Sequence, residues 1–133
     1  MPLRPHVCLI ALAASVAAGN AGARAADIDV RPEPNALVEA MARAQAGDRL
    51  MLHEGVHRGP IIVDKAIALD GQPGAVIDAG GSGTAIKILA ARSSVRGLTV
   101  RGSGKQGENF DSGIYVEKGA DGVALENNWV EGN

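Results

Sequence analysis

The sequence predicts an all-β chain, a parallel β-helix with a capping α-helix at its N-terminal end, and three observations carry that reading. From residue 48 onward, aliphatic runs of mostly three to six residues alternate with Gly, Asp, Asn and Ser, the mark of many short strands joined by tight turns. Glycine supplies 18 of 133 residues, while Phe, Trp and Tyr occur once each. That is about twice the usual glycine share, and the dearth of rings argues against a sandwich built on large aromatic core residues. The third observation is an internal repeat. IKI at 86–88, Val95 and LTVRGS from 98 can be laid on IYV at 114–116, Val123 and NWVEGN from 128. The first part matches at an offset of 28 and the second at 30, which places a two-residue insertion between Val123 and Val130. A block that cannot bury its own apolar face must stack on its neighbours. Coils of three short strands winding in parallel satisfy that need, with aliphatic residues inward and polar ones outward.

Residues 1–25 read as an export signal. Arg4 supplies the positive n-region, 7–18 is a short apolar h-region, and Ala23-Arg24-Ala25 is an A-x-A cleavage site. Cleavage is expected before Ala26, which gives a periplasmic protein. The apolar run is too short and broken for a stable membrane span. Cys8 precedes most of the h-region, so it does not mark a lipoprotein. It is also the single cysteine, so the mature chain enters an oxidising compartment with no disulfide to form. The formal charge of −2 becomes −4 once Arg4 and Arg24 leave with the signal, and this mildly acidic balance carries no nucleic-acid footprint.

Residues 26–133 form the β-helix part. A strand at 27–30 is broken by Pro32-Glu33-Pro34, and Asn35 is placed to cap the helix that follows. Residues 36–46 read as that helix, with Leu37, Ala40, Met41 and Ala44 on one face and Gly47 as its stop. Met41 is expected in the core rather than on a ligand. A solenoid end exposes apolar core and unpaired edges, and this helix would cover them. The coils then occupy 48–133. Their strands are expected at 48–52, 61–63, 67–69, 75–77, 85–89, 95–100, 113–116, 123–125 and 129–130. Gly71, Gly97, Gly102, Asn127 and Asn128 sit at turns, where left-handed backbone is cheap or tolerated.

HEGVH at 53–57 matches H-E-x-x-H, in which two histidines one helical turn apart bind zinc and the glutamate acts as general base. The context argues otherwise. Gly55 lies within the motif and Gly59-Pro60 follows it, so a turn is favoured over a helix. The remaining histidine, His6, belongs to the leader, and Glu108 and Glu117 lie in glycine-rich or strand-like sequence. The stretch is therefore expected to be a turn between strands, with His57 at its rim.

Taken together, the leader, ALVEAMARAQAGD, LHEGVHRGPIIVDKAIALDGQPGAVIDAGG, VRGLTVRGSG and DSGIYVEKGADGVALENNWVEGN resemble the N-terminal part of the NosD family over essentially the whole chain. These are periplasmic accessory proteins for maturation of nitrous-oxide reductase in denitrification. The G-D-x-L, L-D-G and G-L-x-V-x-G-S elements recur in other secreted carbohydrate-binding and sugar-hydrolase β-helices. The order and spacing, with GSG, the insertion KQGENF and then DSGIYVE, are what match this family. The resemblance implies a right-handed single-stranded parallel β-helix that works beside an ABC-type transporter and the maturation partners of nitrous-oxide reductase, in a pathway that builds copper sites. The family pattern usually has an aromatic residue where this chain has His57, so no copper role is carried over to it. The family's coils also continue past this point, and the chain is expected to be the N-terminal part of a longer protein.

No catalytic, cofactor-binding or metal-ligating residue is assigned, and the protein is not expected to be an enzyme. Asp70, Asp78, Asp111 and Glu117 are available for the acid-base chemistry of a polysaccharide lyase, epimerase or hydrolase, but most sit beside glycine or in turns, where Asp is routine. Tyr115 and Trp129 could stack on a sugar or simply pack on the coil surface. Copper favours thioether and imidazole ligands. Leu50 and Leu52 are expected inward, so Met51 and His53 share the outward parity, with His57 nearby, yet nothing fixes three ligands in one geometry.

Overall fold

The computed structural model describes residues 25–105 and 111–133. The leader apart from Ala25, and all of the KQGENF insertion except Lys105, lie outside the described residues, as does Glu108. The described chain is mostly β, with one short helix. The strands are β1 (Asp27–Val30), β2 (Arg49–Leu52), β3 (Gly55–Arg58), β4 (Ile61–Val63), β5 (Ala68–Gly71), β6 (Ala75–Asp78), β7 (Ile86–Ile88), β8 (Ser94–Arg96), β9 (Thr99–Arg101), β10 (Ile114–Val116), β11 (Ala124–Glu126) and β12 (Trp129–Val130), and α1 (Ala36–Arg43) lies between β1 and β2. They build three sheets, in the orders β1-β2-β5-β8-β11, β3-β6-β9-β12 and β4-β7-β10. Every pairing is parallel, and from β2 onward consecutive strands fall in the three sheets in turn. That arrangement is compatible with a parallel β-helix.

Strand parity sorts the side chains. Leu50, Leu69 and Val95 stack in register in the first sheet, Ile77 and Val100 in the second, and Ile86 with Ile61 and Ile88 with Val63 in the third, and all are buried. Each such side chain contributes about 1.5–3 kcal/mol by leaving water. Leu125 and Val130 continue the inward rows on β11 and β12 but are exposed.

The structure corrects several expected elements. The helix ends at Arg43 rather than residue 46, because Ala44 is already extended. Its final carbonyls are taken by a cation instead of a glycine turn. Lys65 Nζ donates to the carbonyls of Met41, Ala42 and Ala44 at 3.1, 3.1 and 2.8 Å, which also opposes the negative end of the helix dipole. Asn35 precedes the helix in left-handed conformation and gives no side-chain cap; only its carbonyl is used, accepting from the Glu39 amide. Leu37, Ala40 and Ala44 are buried and Met41 half-buried, as the helical spacing requires.

The run 95–100 is two strands, not one. Gly97 has φ +67°, and a Cβ there would lie 2.8 Å from the Gly71 carbonyl oxygen, so the chain turns a corner between β8 and β9. Gly71 itself closes β5 without positive φ; it is glycine because a side chain would strike Leu98. Asn128 serves the corner through its amide, accepting from Leu98 N and donating to the Val95 carbonyl, while Asn127 and Gly102 carry the left-handed angles. The repeat is also re-registered. Ile114 stacks on Ile86 as expected, but Leu125, not Val123, stacks on Val95. The two extra residues therefore lie in the turn between β10 and β11.

The largest correction concerns HEGVH. Its turn is confined to His53 and Glu54, and Gly55 at φ +128° swings the chain straight into β3. His57 is then an inward residue, in register with Ile77 and 1% exposed. It lies in the core, not at a turn rim.

Candidate functional site

Because inward positions are consumed by packing, chemistry is confined to the outward rows, the corners and the helix flank. In the first sheet Met51, Asp70, Arg96 and Glu126 form an outward row in register. Asp70 pairs with Arg49, and Arg96 Nε lies 3.2 Å from Glu126 Oε2. One oxygen of Asp70, Oδ1, is buried with no protein partner. Met51 sits beside Asp29, and His53 Nε2 lies 3.2 Å from Asp29 Oδ1. The expected outward sharing of Met51 and His53 thus holds.

His57 does not join them. Its Nε2 donates to the His53 carbonyl at 2.8 Å. A carbonyl only accepts, so the ring carries its proton on Nε2, and Nδ1 is buried without a partner. The two imidazoles of the H-E-x-x-H match are engaged separately, one on a surface carboxylate and one on a backbone carbonyl within the core. Among the described residues no group of three or more His, Cys, Asp and Glu is placed to hold a metal ion.

The second sheet presents two outward rows. One is Val56, Val76, Thr99 and Trp129, and the other is Arg58, Asp78 and Arg101. Asp78 accepts from Gly80 N at 2.8 Å and from Arg101 Nε at 3.0 Å. The Gly80 amide, then the Arg101 guanidinium, hold its carboxyl below the usual range. Val56, Arg58, Gly59, Asp78, Ala79 and Gly80 line an open cleft of about 450 Å³. Trp129 is 66% exposed, with Nε1 donating to Glu131 at 2.7 Å. On the third sheet Lys87 Nζ stands 5.9 Å from the centroid of Tyr115. Val38, Met41 and Ala42 of the helix, with Pro60, Ile61, Ile62, Asp64 and Lys65, line a cleft of about 300 Å³.

The four acidic candidates are not gathered. Asp70 is on the first sheet and Asp78 on the second. Asp111 leads into β10, against Gly104, and Glu117 follows β10 with its amide on the Ile88 carbonyl. What sequence reasoning missed is the basic half of these rows. Arg49, Arg58, Arg96 and Arg101 all fall at outward positions, and the V-R-G spelling at 95–97 and 100–102 was the available signal.

The fold and its surface define a mostly β chain with parallel strands in stacked sheets, ion-paired outward rows and one short helix. The chain is 29% identical over 114 residues to the probable ABC transporter binding protein NosD of Pseudomonas aeruginosa, covering 86% of this chain and 24% of that protein. It therefore spans about a quarter of the length of that relative. No protein-family model matches the chain, and no solved structure matches it. Among the described residues no helix is long and apolar enough to cross a membrane.

Proposed function

We propose that this chain is a soluble periplasmic accessory protein in nitrous-oxide reductase maturation. It acts by docking an ABC-type transporter and the maturation partners, without catalysis and without a metal of its own. Residues 1–25 are its export signal, and its fold is a right-handed single-stranded parallel β-helix. The supporting observation is the likeness to a probable ABC transporter binding protein across 86% of the chain. The outward rows are in keeping with it: carboxylates neutralised by arginine neighbours make a patterned docking face rather than an acid-base pair. The test is deletion of the coding region in a denitrifying host, followed by complementation. Loss of nitrous-oxide reduction and of copper from the reductase, restored by the wild-type gene, supports the role. A deletion strain with fully copper-loaded reductase overturns it.

The exposed Trp129 beside the Arg58, Asp78 and Arg101 row favours a second reading, carbohydrate binding on the second sheet. Retardation in affinity gels containing polysaccharide, lost in Trp129→Ala, would support that reading, and unretarded wild type would remove it.

A further inference from the structure

Near the start of the described residues, Ala26 is tied to the fold by both its backbone groups. Its carbonyl accepts from Arg49 N at 2.9 Å, and its amide nitrogen donates to Asp48 Oδ1 at 3.0 Å. Asp48 is 7% exposed. Its other oxygen, Oδ2, accepts from Gln45 N at 2.8 Å, so the carboxylate is held rigidly between the end of the helix segment and the first strand. Ala25 and Ala26 are both exposed, so the bond between them is not enclosed by the fold.

We propose that Asp48 is a socket for the α-ammonium group of Ala26, created when the chain is cut between Ala25 and Ala26. The inference rests on the export reading and deepens it. Hydrolysis adds one water across the Ala25–Ala26 bond. The C–N bond breaks, Ala25 leaves as a carboxylate on the leader, and the Ala26 nitrogen is protonated. A neutral amide on Asp48 becomes an ammonium on a carboxylate, and charge-assisted bonds of this kind are shorter and roughly twice as strong as neutral ones. Removing the leader thereby tightens β1 against β2, at the edge where the stack begins. The charged groups at the site number four, Asp48 of the pair and three neighbours. They are Asp48 itself, Lys65, which adds to the lowering of the Asp48 carboxyl that the Ala26 and Gln45 amides dominate, and the neighbours Asp27 and Arg49. An amine whose folded state is favoured as the ammonium has its pKa raised above the unfolded value. Its stabilisation is complete below that unfolded value, about 8, and fades as pH rises through the folded one.

The experiment uses the full chain with a site-specific protease site ending at residue 25, so that the cut leaves Ala26 first. Amine-directed acylation at pH 7 is read by mass spectrometry on the N-terminal peptide. In the folded, cut protein the Ala26 amine should label about tenfold more slowly than in denaturant, the factor that one unit of pKa represents at neutral pH. Asp48→Asn should return the folded rate to the denatured one. The urea midpoint should rise on cutting in the wild type and stay constant in Asp48→Asn. Equal labelling in the folded and denatured wild type overturns the socket, even if the variant does not fold. N-terminal sequencing of exported protein tests the processing step separately: Ala26 first supports it, any other residue overturns it, and neither result alters the labelling comparison.

Discussion

Replacing His57 by alanine discriminates between a core strand and a surface turn at HEGVH. The ring is 1% exposed, stacked in register on Ile77, and donates through Nε2 to the His53 carbonyl. Truncation leaves the carbonyl without that partner, a cost of about 1–3 kcal/mol. It also empties a space of ring size, and large-to-alanine changes in cores cost about 2–5 kcal/mol. Against these stands the relief of Nδ1, which is buried unpaired and already costs about 1–3 kcal/mol. The balance is a destabilisation of about 2–4 kcal/mol, a large fraction of the 5–15 kcal/mol expected of a small domain. Urea unfolding followed by far-UV circular dichroism should show the midpoint fall by about 1 M or more, for a slope of about 1–3 kcal/mol/M. His53→Ala is the internal control. It removes only an exposed side-chain contact with the Asp29 carboxylate, and such surface contacts are worth about 0–1 kcal/mol. Equal, small effects of the two substitutions would refute the placement of His57 in the core.

The double substitution His53→Ala, His57→Ala should leave the zinc content of untagged protein unchanged, since the rings are engaged separately; stoichiometric zinc lost with the pair would contradict this. Gly97→Ala should destabilise by about 1–3 kcal/mol, because φ +67° and the nearby Gly71 carbonyl both oppose a Cβ, whereas Gly119→Ala, with open space around its own positive φ, should cost less in the same urea assay. Asp78→Asn should flatten the acid limb of stability. Its folded pKa is depressed from 3.8, so its contribution is present above that value and lost as pH falls through the folded one; a variant with an unchanged acid limb contradicts the assignment. Lys65→Met should fray the helix end that the ammonium caps, losing about 1–2 kcal/mol, visible as faster amide exchange at Ala44.

What was legible in the sequence was whatever repeats at short range. Parity alone placed Leu50 and Leu52 inward and Met51 and His53 outward, and the 3.6 period placed Leu37, Ala40 and Ala44 on the buried face of the helix. What failed depends on partners distant in sequence. The helix was expected to run to 46 because nothing local reveals that Lys65, more than 20 residues later, takes its last carbonyls. Asn35 has the right residue type for a side-chain cap, but its left-handed backbone gives the helix only a carbonyl. Val123 was matched to Val95 because both are valine, whereas inter-strand hydrogen bonding fixes register and sets Leu125 there.

His57 shows the same limit at the site. Gly55 and Gly59-Pro60 argued for a turn with His57 at its rim, and burial of an imidazole is costly unless its nitrogens are bonded. The fold satisfies one of the two through a carbonyl four residues back, across the corner at Gly55, φ +128°. A string that spells a zinc helix therefore encodes a corner and the start of a strand. The same logic governs the outward rows. Asp70 and Asp78 looked like independent turn residues, yet each meets an arginine, Arg49 and Arg101, brought in by parallel stacking of strands about 20 residues apart. Under the proposed docking role, carboxylates matched to arginines in this way fix the charge pattern that a partner reads. If the chain docks as proposed, that pattern, rather than any single residue, is where substitutions such as Arg101→Glu should weaken binding in a pull-down with the transporter, while an unchanged urea midpoint shows the inward stack intact.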